Sequence, residues 1–426
     1  MFKAIAIMSI TTFFNYGMST FFVLFALEYL NPAELGILIG MQFLTQSLFD
    51  YPTGALGDWI GQKWVIITAY LFLGSGYIIY SISTTFSYFL LAFILLGIGA
   101  SQLSGTFMTW FDNNYKIYAY EDTKRTTYSF IFSRFMLLDE LITGSSIISV
   151  GIFVEFTSRE LGFFILGLIY FLSIFLVFIV VIDHPDYKRP EQKKNEYIKL
   201  LAEGLRIGWK NTTLRYILIG TVITQGTLMI WASLILFPMY QTYAKTDIII
   251  SATRAIIFVY MAIAMIFLGY IVKRIHDTQR WLGISTILTY PVFYLMFFFF
   301  LQIFPAQESF SLVLWLLLLV AFSSVNTLGS FTQILTPKFY LDLIPDKNRN
   351  SIYSLIPTLI TICNIFTVSI GGIFITTIGV VDTIFILFFV AFFSGLISGI
   401  AIMKYQPLPK LEDELILEKT GEEVIS

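Results

Sequence analysis

Apolar runs of about 20 residues recur along the chain, each bounded by charges or by Pro and Gly, and that length matches a helix crossing the hydrocarbon core of a bilayer. Twelve such runs can be marked, at 4–27, 36–56, 64–83, 87–110, 131–154, 161–182, 213–240, 252–272, 281–303, 309–333, 351–376 and 381–403. In lipid every backbone polar group must be satisfied within the chain, so the pattern predicts an all-α polytopic membrane protein. The longest polar loop, 183–212, falls near the middle. Its Tyr197, Leu201, Leu205 and Trp209 recur four apart and predict a short amphipathic helix on the membrane surface. The chain thus divides into a six-helix bundle at 1–182, a linker at 183–212, a second six-helix bundle at 213–403 and a polar tail at 404–426.

Composition sharpens this picture. Hydrophobic residues make up 57% of the 426, charged residues 13%, and the mean hydropathy is +0.79. A soluble chain would be about a quarter charged. Of the 26 Lys and Arg residues, all but Arg159, Lys245 and Arg254 fall at the N-terminus, in alternate loops and in the tail. By the positive-inside rule this predicts an even number of spans with both termini in the cytoplasm, in a plasma membrane. The first run lacks a small-residue cleavage site and reads as a span rather than a removable signal.

The same inventory excludes several chemistries. A net charge of −2 without a basic tract gives nucleic acid nothing to bind. One cysteine, Cys363, forms no intramolecular disulfide, and His184 and His276 lie in polar loops, so no metal or haem centre is expected. No phosphate-cradling Gly-Lys-Ser/Thr loop and no nucleophile–base set is present, so neither ATP-driven work nor catalysis is expected. With no cofactor, a proton gradient is the expected energy source. The bilayer and a small solute are the expected partners of a monomer.

The two halves echo each other. Gly54 and Gly269 stand 215 residues apart, each near a charged turn, and RTTYSFI from Arg125 resembles RNSIYSLI from Arg349. Both echoes join corresponding spans if six helices are repeated as six, an arrangement that places a binding cavity between the halves near mid-membrane.

The segment GALGDWIGQK, from Gly54 to Lys63, matches the loop signature Gly-x-Leu-x-Asp-Arg-x-Gly-Arg-Lys through Gly54, Leu56, Asp58, Gly61 and Lys63. On it, and on the preceding FDYPTG, the chain resembles the major facilitator superfamily over its whole length. SGTFMTWFDN from Ser104 and YLDLIPDKNRNSIYSL from Tyr340 are similar to segments of its drug-efflux-like branch. The resemblance implies two six-helix bundles rocking about a central site. It also implies a cytoplasmic gate in which Asp58 latches the turn between spans two and three to the start of span eleven. Trp59 and Gln62 replace two basic residues of the signature. The expected gate residues are Asp50, Gly54, Asp58, Gly61, Lys63, Asp112, Arg134 and Arg349.

Ionisable groups inside spans are costly and mark function. Asp139 and Glu140 in span five are the candidates for proton coupling or substrate contact; they differ by 100° in direction on a helix, so one faces the cavity. Polar and stacking candidates for the cavity are Asn15, Tyr16, Gln102, Gln225, Trp231, Asn326 and Asn364. Arg254 reads as an anchor at the outer headgroups, the run Phe297 to Phe300 as lipid-facing, and no deep cation is expected in any span. These features predict a secondary transporter exporting a small amphiphilic solute in exchange for protons. A symporter or facilitator for a sugar, nucleoside or small organic acid is the alternative, although an organic acid would want a cation in the cavity. A third reading is a non-transporting membrane sensor.

Overall fold

The computed structural model describes residues 2–104, 106, 110, 115, 126–181, 206, 209, 212–343 and 349–404, with only the backbone of 2–8, 51–59, 126–137, 337–338, 340–343 and 349–355. Every regular element among them is helical. The first group comprises α1 (Phe2–Ser19), a short α2 (Phe22–Ala26), α3 (Pro32–Ile60), α4 (Gln62–Ser81), α5 (Phe86–Leu103), α6 (Thr126–Phe156) and α7 (Arg159–Val180). The second comprises α8 (Thr212–Ile230), a π-helical turn (Trp231–Ile235), α9 (Leu236–Ala244), α10 (Asp247–Val272), α11 (Thr278–Ile303), α12 (Leu312–Leu343), α13 (Arg349–Ile378) and α14 (Val380–Lys404). Among the described residues, nine helical stretches are long and apolar enough to cross a membrane, the run Thr212–Ala244 counted as one. The linker helix proposed at 183–212 lies outside the described residues apart from Arg206 and Trp209, as does the tail beyond Lys404.

Packing pairs follow a pattern. Within the first group α1 packs on α6 and α7, α3 on α5, and α4 on α5 and α7; within the second α8 packs on α13 and α14, α10 on α12, and α11 on α12 and α14. Each pair of one group has its counterpart in the other. Two seams join the groups, α3 against α13 and α6 against α10, and these too are counterparts. Apolar burial drives little association between helices in lipid, so close backbone approach and hydrogen bonds must hold the seams. A Cβ on Gly36 would meet the Val368 carbonyl, and one on Gly372 would meet the Pro32 carbonyl, so α3 and α13 touch where only glycine fits. Across the same seam, Thr376 Oγ1 accepts from the Ala33 N–H at 3.0 Å and Ser369 Oγ donates to the Gly36 carbonyl at 3.3 Å.

Several elements begin or end away from their predicted places, each for a local reason. Helix α3 starts with a reciprocal cap, in which Asn31 Oδ1 accepts from the Glu34 N–H and Glu34 Oε2 from the Asn31 N–H, both at 3.0 Å. It then runs on through the GALGD segment to Ile60, so Gly54 and Asp58 lie in helix rather than in a sharp turn. The break comes at Gly61, whose φ of 103° is open to glycine alone among common residues. Helix α10 begins at Asp247, five residues before the predicted 252, because Thr246 caps it by accepting from the Ile249 N–H and Asp247 sits in the positive first turn. The π-turn precedes Pro238. Lacking an N–H, Pro238 cannot bond the Leu234 carbonyl and its ring pushes against it; the backbone widens instead, with the Leu236 N–H bonding Trp231 O.

The aromatic run of α11 is not lipid-facing bulk as expected. Phe297 and Phe300 are buried and Phe299 alone of the four is well exposed. Phe297 packs on Trp231 at 4.8 Å and on Phe322 at 4.6 Å between ring centres. Trp231 also meets Phe293 edge-on at 4.6 Å, and aromatic pairs of this geometry contribute about 0.5–1.5 kcal/mol each beyond area burial.

Candidate functional site

A cavity of about 310 Å³ lies where α1–α5 and α7 meet the α8–α9 run. Asn15 and Ser19 from α1, Gln42 from α3, Tyr77 from α4 and Ser233 from the π-turn give it polar groups. Phe22, Phe43, Phe163 and Phe237 give it aromatic walls. The polar groups are held in place. Tyr77 donates to Asn15 Oδ1 at 2.7 Å, and its ring stacks parallel to Phe163 at 6.2 Å and Tyr170 at 5.7 Å. Tyr80 stacks on Phe22 at 4.7 Å and its hydroxyl donates to the Phe22 carbonyl, which fixes α2 against α4. The π-turn presents Ala232 and Ser233 to the cavity while sending Trp231 into the second group's core.

Beyond the cavity, at the end that carries the turns around 28, 158 and 246, one arginine ties three segments together. Arg159 Nη1 donates to Glu28 Oε1 at 2.6 Å, while Nη2 and Nε donate to Asp247 Oδ1 and Oδ2 at 2.5 and 3.2 Å. Its side chain is 10% exposed, that of Asp247 18% and that of Glu28 39%. Burial outweighs the attraction of Arg159 and pushes the Glu28 carboxyl above its ordinary range. Nearby, Glu155 Oε2 accepts the Ile248 N–H at 3.1 Å at the start of α10, an N-terminus that favours an anion. Gly151 lies against Ser251, so α6 and α10 are in direct contact. This end of the molecule is closed.

Arg254 corrects the sequence reading. The earlier start of α10 sets it two turns into the helix, so it is neither a headgroup anchor nor outside the spans. Its Nη1 lies 3.0 Å from the Tyr16 carbonyl, 2.9 Å from Ser19 Oγ and 2.6 Å from Thr20 Oγ1, all in the other group of helices. The guanidinium also sits over the Phe237 ring at 5.5 Å. Ser19 and Phe237 both line the cavity.

Of the residues singled out in the sequence, Asn15 lines the cavity and the others do not. Tyr16 is exposed and contributes its carbonyl to Arg254. Trp231 is core. Gln102 and Asn364 are buried, with Gln102 Oε1 and Asn364 Oδ1 lacking a hydrogen-bond partner among the described residues. Gln225 and Asn326 are half-buried on α8 and α12. Asp139 is half-buried and Glu140 exposed on α6, and neither borders the cavity. Among the gate residues, Asp50 accepts from the Ser104 hydroxyl. Lys63 donates to the Phe178 carbonyl at 2.7 Å and lies over the Phe178 ring at 4.6 Å, contacts within its own group of helices. Asp112 lies outside the described residues, as do the side chains of Asp58, Arg134 and Arg349. No cluster of His, Cys, Asp and Glu able to hold a metal occurs among the described residues.

The sequence reading missed Ser19, Gln42, Tyr77, Ser233, the four phenylalanines and the role of Arg159, and it set Arg254 at the headgroups. Thr246-Asp247 is a helix-start pair that would have placed Arg254 correctly. Nothing in the pattern marked which phenylalanines turn inward.

Solved structures with the same fold include the nucleoside transporter NupG, at a TM-score of 0.73 and 12% identity, covering 95% of this chain and 100% of that one. An auto-inhibited POT family peptide transporter matches at 0.68 and 12%, covering 96% and 98%. A bacterial homolog of the human lysosomal transporter Spinster, inward-facing and unoccupied, matches at 0.65 and 11%, covering 95% and 98%. No curated protein is similar enough in sequence to count as a relative. The sequence profile of the Major Facilitator Superfamily matches residues 5–356, most of the chain. With every regular element of its described residues helical and with helices long and apolar enough to cross a membrane, the protein belongs to the Major Facilitator Superfamily of transporters.

Proposed function

We propose that the protein is a secondary transporter that carries a small solute across the plasma membrane by alternating access. The observation that carries this reading is a cavity lined from both groups of helices and closed at one end by polar contacts between them, Arg159 with Asp247 and Glu155 with the Ile248 N–H. On this reading twelve spans form two six-helix bundles, 1–182 and 213–403, with both termini cytoplasmic. The matching packing pairs of the two groups support the repeat, and α1, α3 and α6 supply the three further spans. The distribution of Lys and Arg supports the orientation, which makes the closed end external.

The lining favours a symporter or facilitator. Two amides, two serine hydroxyls and stacked rings suit a small solute with polar and apolar faces, and no carboxylate lines the cavity among the described residues. Proton-driven export of an amphiphile is the second reading, favoured by Asp139, which is half-buried on the seam-forming helix α6.

Reconstitution into liposomes tests this. Labelled sugars, nucleosides, small acids and amphiphiles would be offered with and without a pH gradient. Saturable flux of one class, lost when the external end is locked shut, is the expected result. Gradient-driven export lost in Asp139→Asn selects the second reading. Absence of flux for every class would overturn both and return the sensor.

A further inference from the structure

Arg254 carries a full positive charge inside a membrane-spanning helix, where an ionised side chain demands a partner. Asp247 starts the same helix, but its carboxylate is held by Arg159. No carboxylate among the described residues pairs with Arg254. Its partners are neutral: the Tyr16 carbonyl and the Ser19 and Thr20 hydroxyls. Tyr16 lies in the last turn of α1, and a helix C-terminus offers about half a negative charge. That leaves the guanidinium under-compensated beside a cavity that contributes no acid from its described lining.

The geometry of the donors adds a second argument. All three contacts of Arg254 are made from Nη1; Nε and Nη2 make no hydrogen bond among the described residues. Those two nitrogens form the edge that grips a carboxylate with two parallel bonds. Arg159 uses that same edge, Nε with Nη2, to hold Asp247. Arg159 is tied by Nη1 to Glu28 of its own group and by its Nε–Nη2 edge to Asp247 across the boundary, whereas Arg254 crosses the boundary by Nη1 and its Nε–Nη2 edge holds no hydrogen-bond partner among the described residues.

We infer that Arg254 is an anion-binding subsite at the rim of the cavity, which takes the carboxylate of a small organic monoacid. The apolar body of the acid rests against Phe237 and the facing rings Phe22, Phe43 and Phe163, with Asn15 and Gln42 available to its polar substituents. A volume of about 310 Å³ stands at the small end of ligand cavities and limits the acid's size. Because Nη1 stays on α1, the bound acid neutralises a charge at a contact between the two groups. This inference rests on the cavity's being the transport site and deepens that reading by naming its substrate class.

The test uses the full chain in lipid nanodiscs with labelled lactate, 4-methyl-2-oxopentanoate, benzoate and phenylacetate, each against its neutral carboxamide. At least one acid should bind, and its carboxamide at least about tenfold more weakly, since the amide cannot neutralise the guanidinium. Arg254→Gln should lower acid affinity about tenfold or more and abolish most of the preference for acid over carboxamide, with Arg254→Lys between them. The acid-to-amide ratio of the wild type needs no variant, so the inference stays open to refutation even if Arg254→Gln folds poorly. Equal binding of acid and amide, an unchanged preference in a folded Arg254→Gln, or no binding by any acid in the panel would overturn the inference. Acids that bind through Arg254 but never cross a liposome membrane would overturn the transport reading and leave the anion subsite standing.

Discussion

Two arginines cross the boundary between the helix groups, Arg159 and Arg254, and they solve the same electrostatic problem differently. Arg159 lies at the closed end with two carboxylates, Glu28 and Asp247, in contact. Arg254 lies two turns deeper, bonded to one helix end and two hydroxyls. The first is matched by the protein itself and can serve as a latch. The second is matched only in part and is suited to a group that comes and goes. A charge fully paired inside the fold stabilises one conformation; a charge left short responds to a ligand.

The comparison can be broken at the latch. Arg159→Met leaves Glu28 and Asp247 without their shared cation, and truncating one member of a largely buried pair costs about 3 kcal/mol. In a Cys363→Ser background, a cysteine at the cavity residue Ala232 should then react with an external impermeant maleimide roughly a hundredfold faster. Gly372→Val probes the neighbouring seam without touching charge. Its side chain would meet the Pro32 carbonyl, and overpacking of this kind costs about 2 kcal/mol, so external labelling should rise by roughly tenfold or more. Asp247→Asn keeps the shape and removes the charge that Arg159 holds by two donors. A charged hydrogen bond lost this way costs about 1.5 kcal/mol, read as a roughly tenfold faster reaction.

The smallest effect should have the opposite sign. Burial holds the Glu28 carboxyl above its ordinary range despite Arg159, so the closed state binds a proton there more tightly than a state with Glu28 in water. Closure should therefore strengthen as pH falls from neutral through that raised value, the gain being complete below about 4.5, the ordinary value. Glu28→Gln should leave labelling unchanged or slow it by less than about twofold, since Glu28 is partly solvated, and should flatten the pH response. Faster labelling in Glu28→Gln would show that the Arg159 contact outweighs burial.

The sequence carried the helical architecture because apolar runs of bilayer length have few other fates. The two sequence echoes fall at helix starts: Thr126, in the first, begins α6, and Arg349, of the second, begins α13. Asn15 was legible because a lone amide deep in an apolar run needs a polar surrounding. The rest of the site depended on details smaller than a span. Five residues at the start of α10 moved Arg254 from the headgroups to the cavity rim. One π-turn ahead of Pro238 turned Trp231 into the core and Ser233 toward the cavity. Asp139 and Glu140 sit on the right helix, but a side chain's facing is set by which neighbours the helix packs against, and a single sequence does not display them.

Alternating access is the central claim, and its most direct test is to lock the closed end. The Ala33 backbone and the Thr376 side chain are already in contact across the α3–α13 seam. In a Cys363→Ser background, Ala33→Cys with Thr376→Cys should form a disulfide under mild oxidation. Oxidised protein in liposomes should carry no solute, and reduction should restore flux to the level of either single variant. Undiminished flux through the oxidised, crosslinked protein would contradict the account.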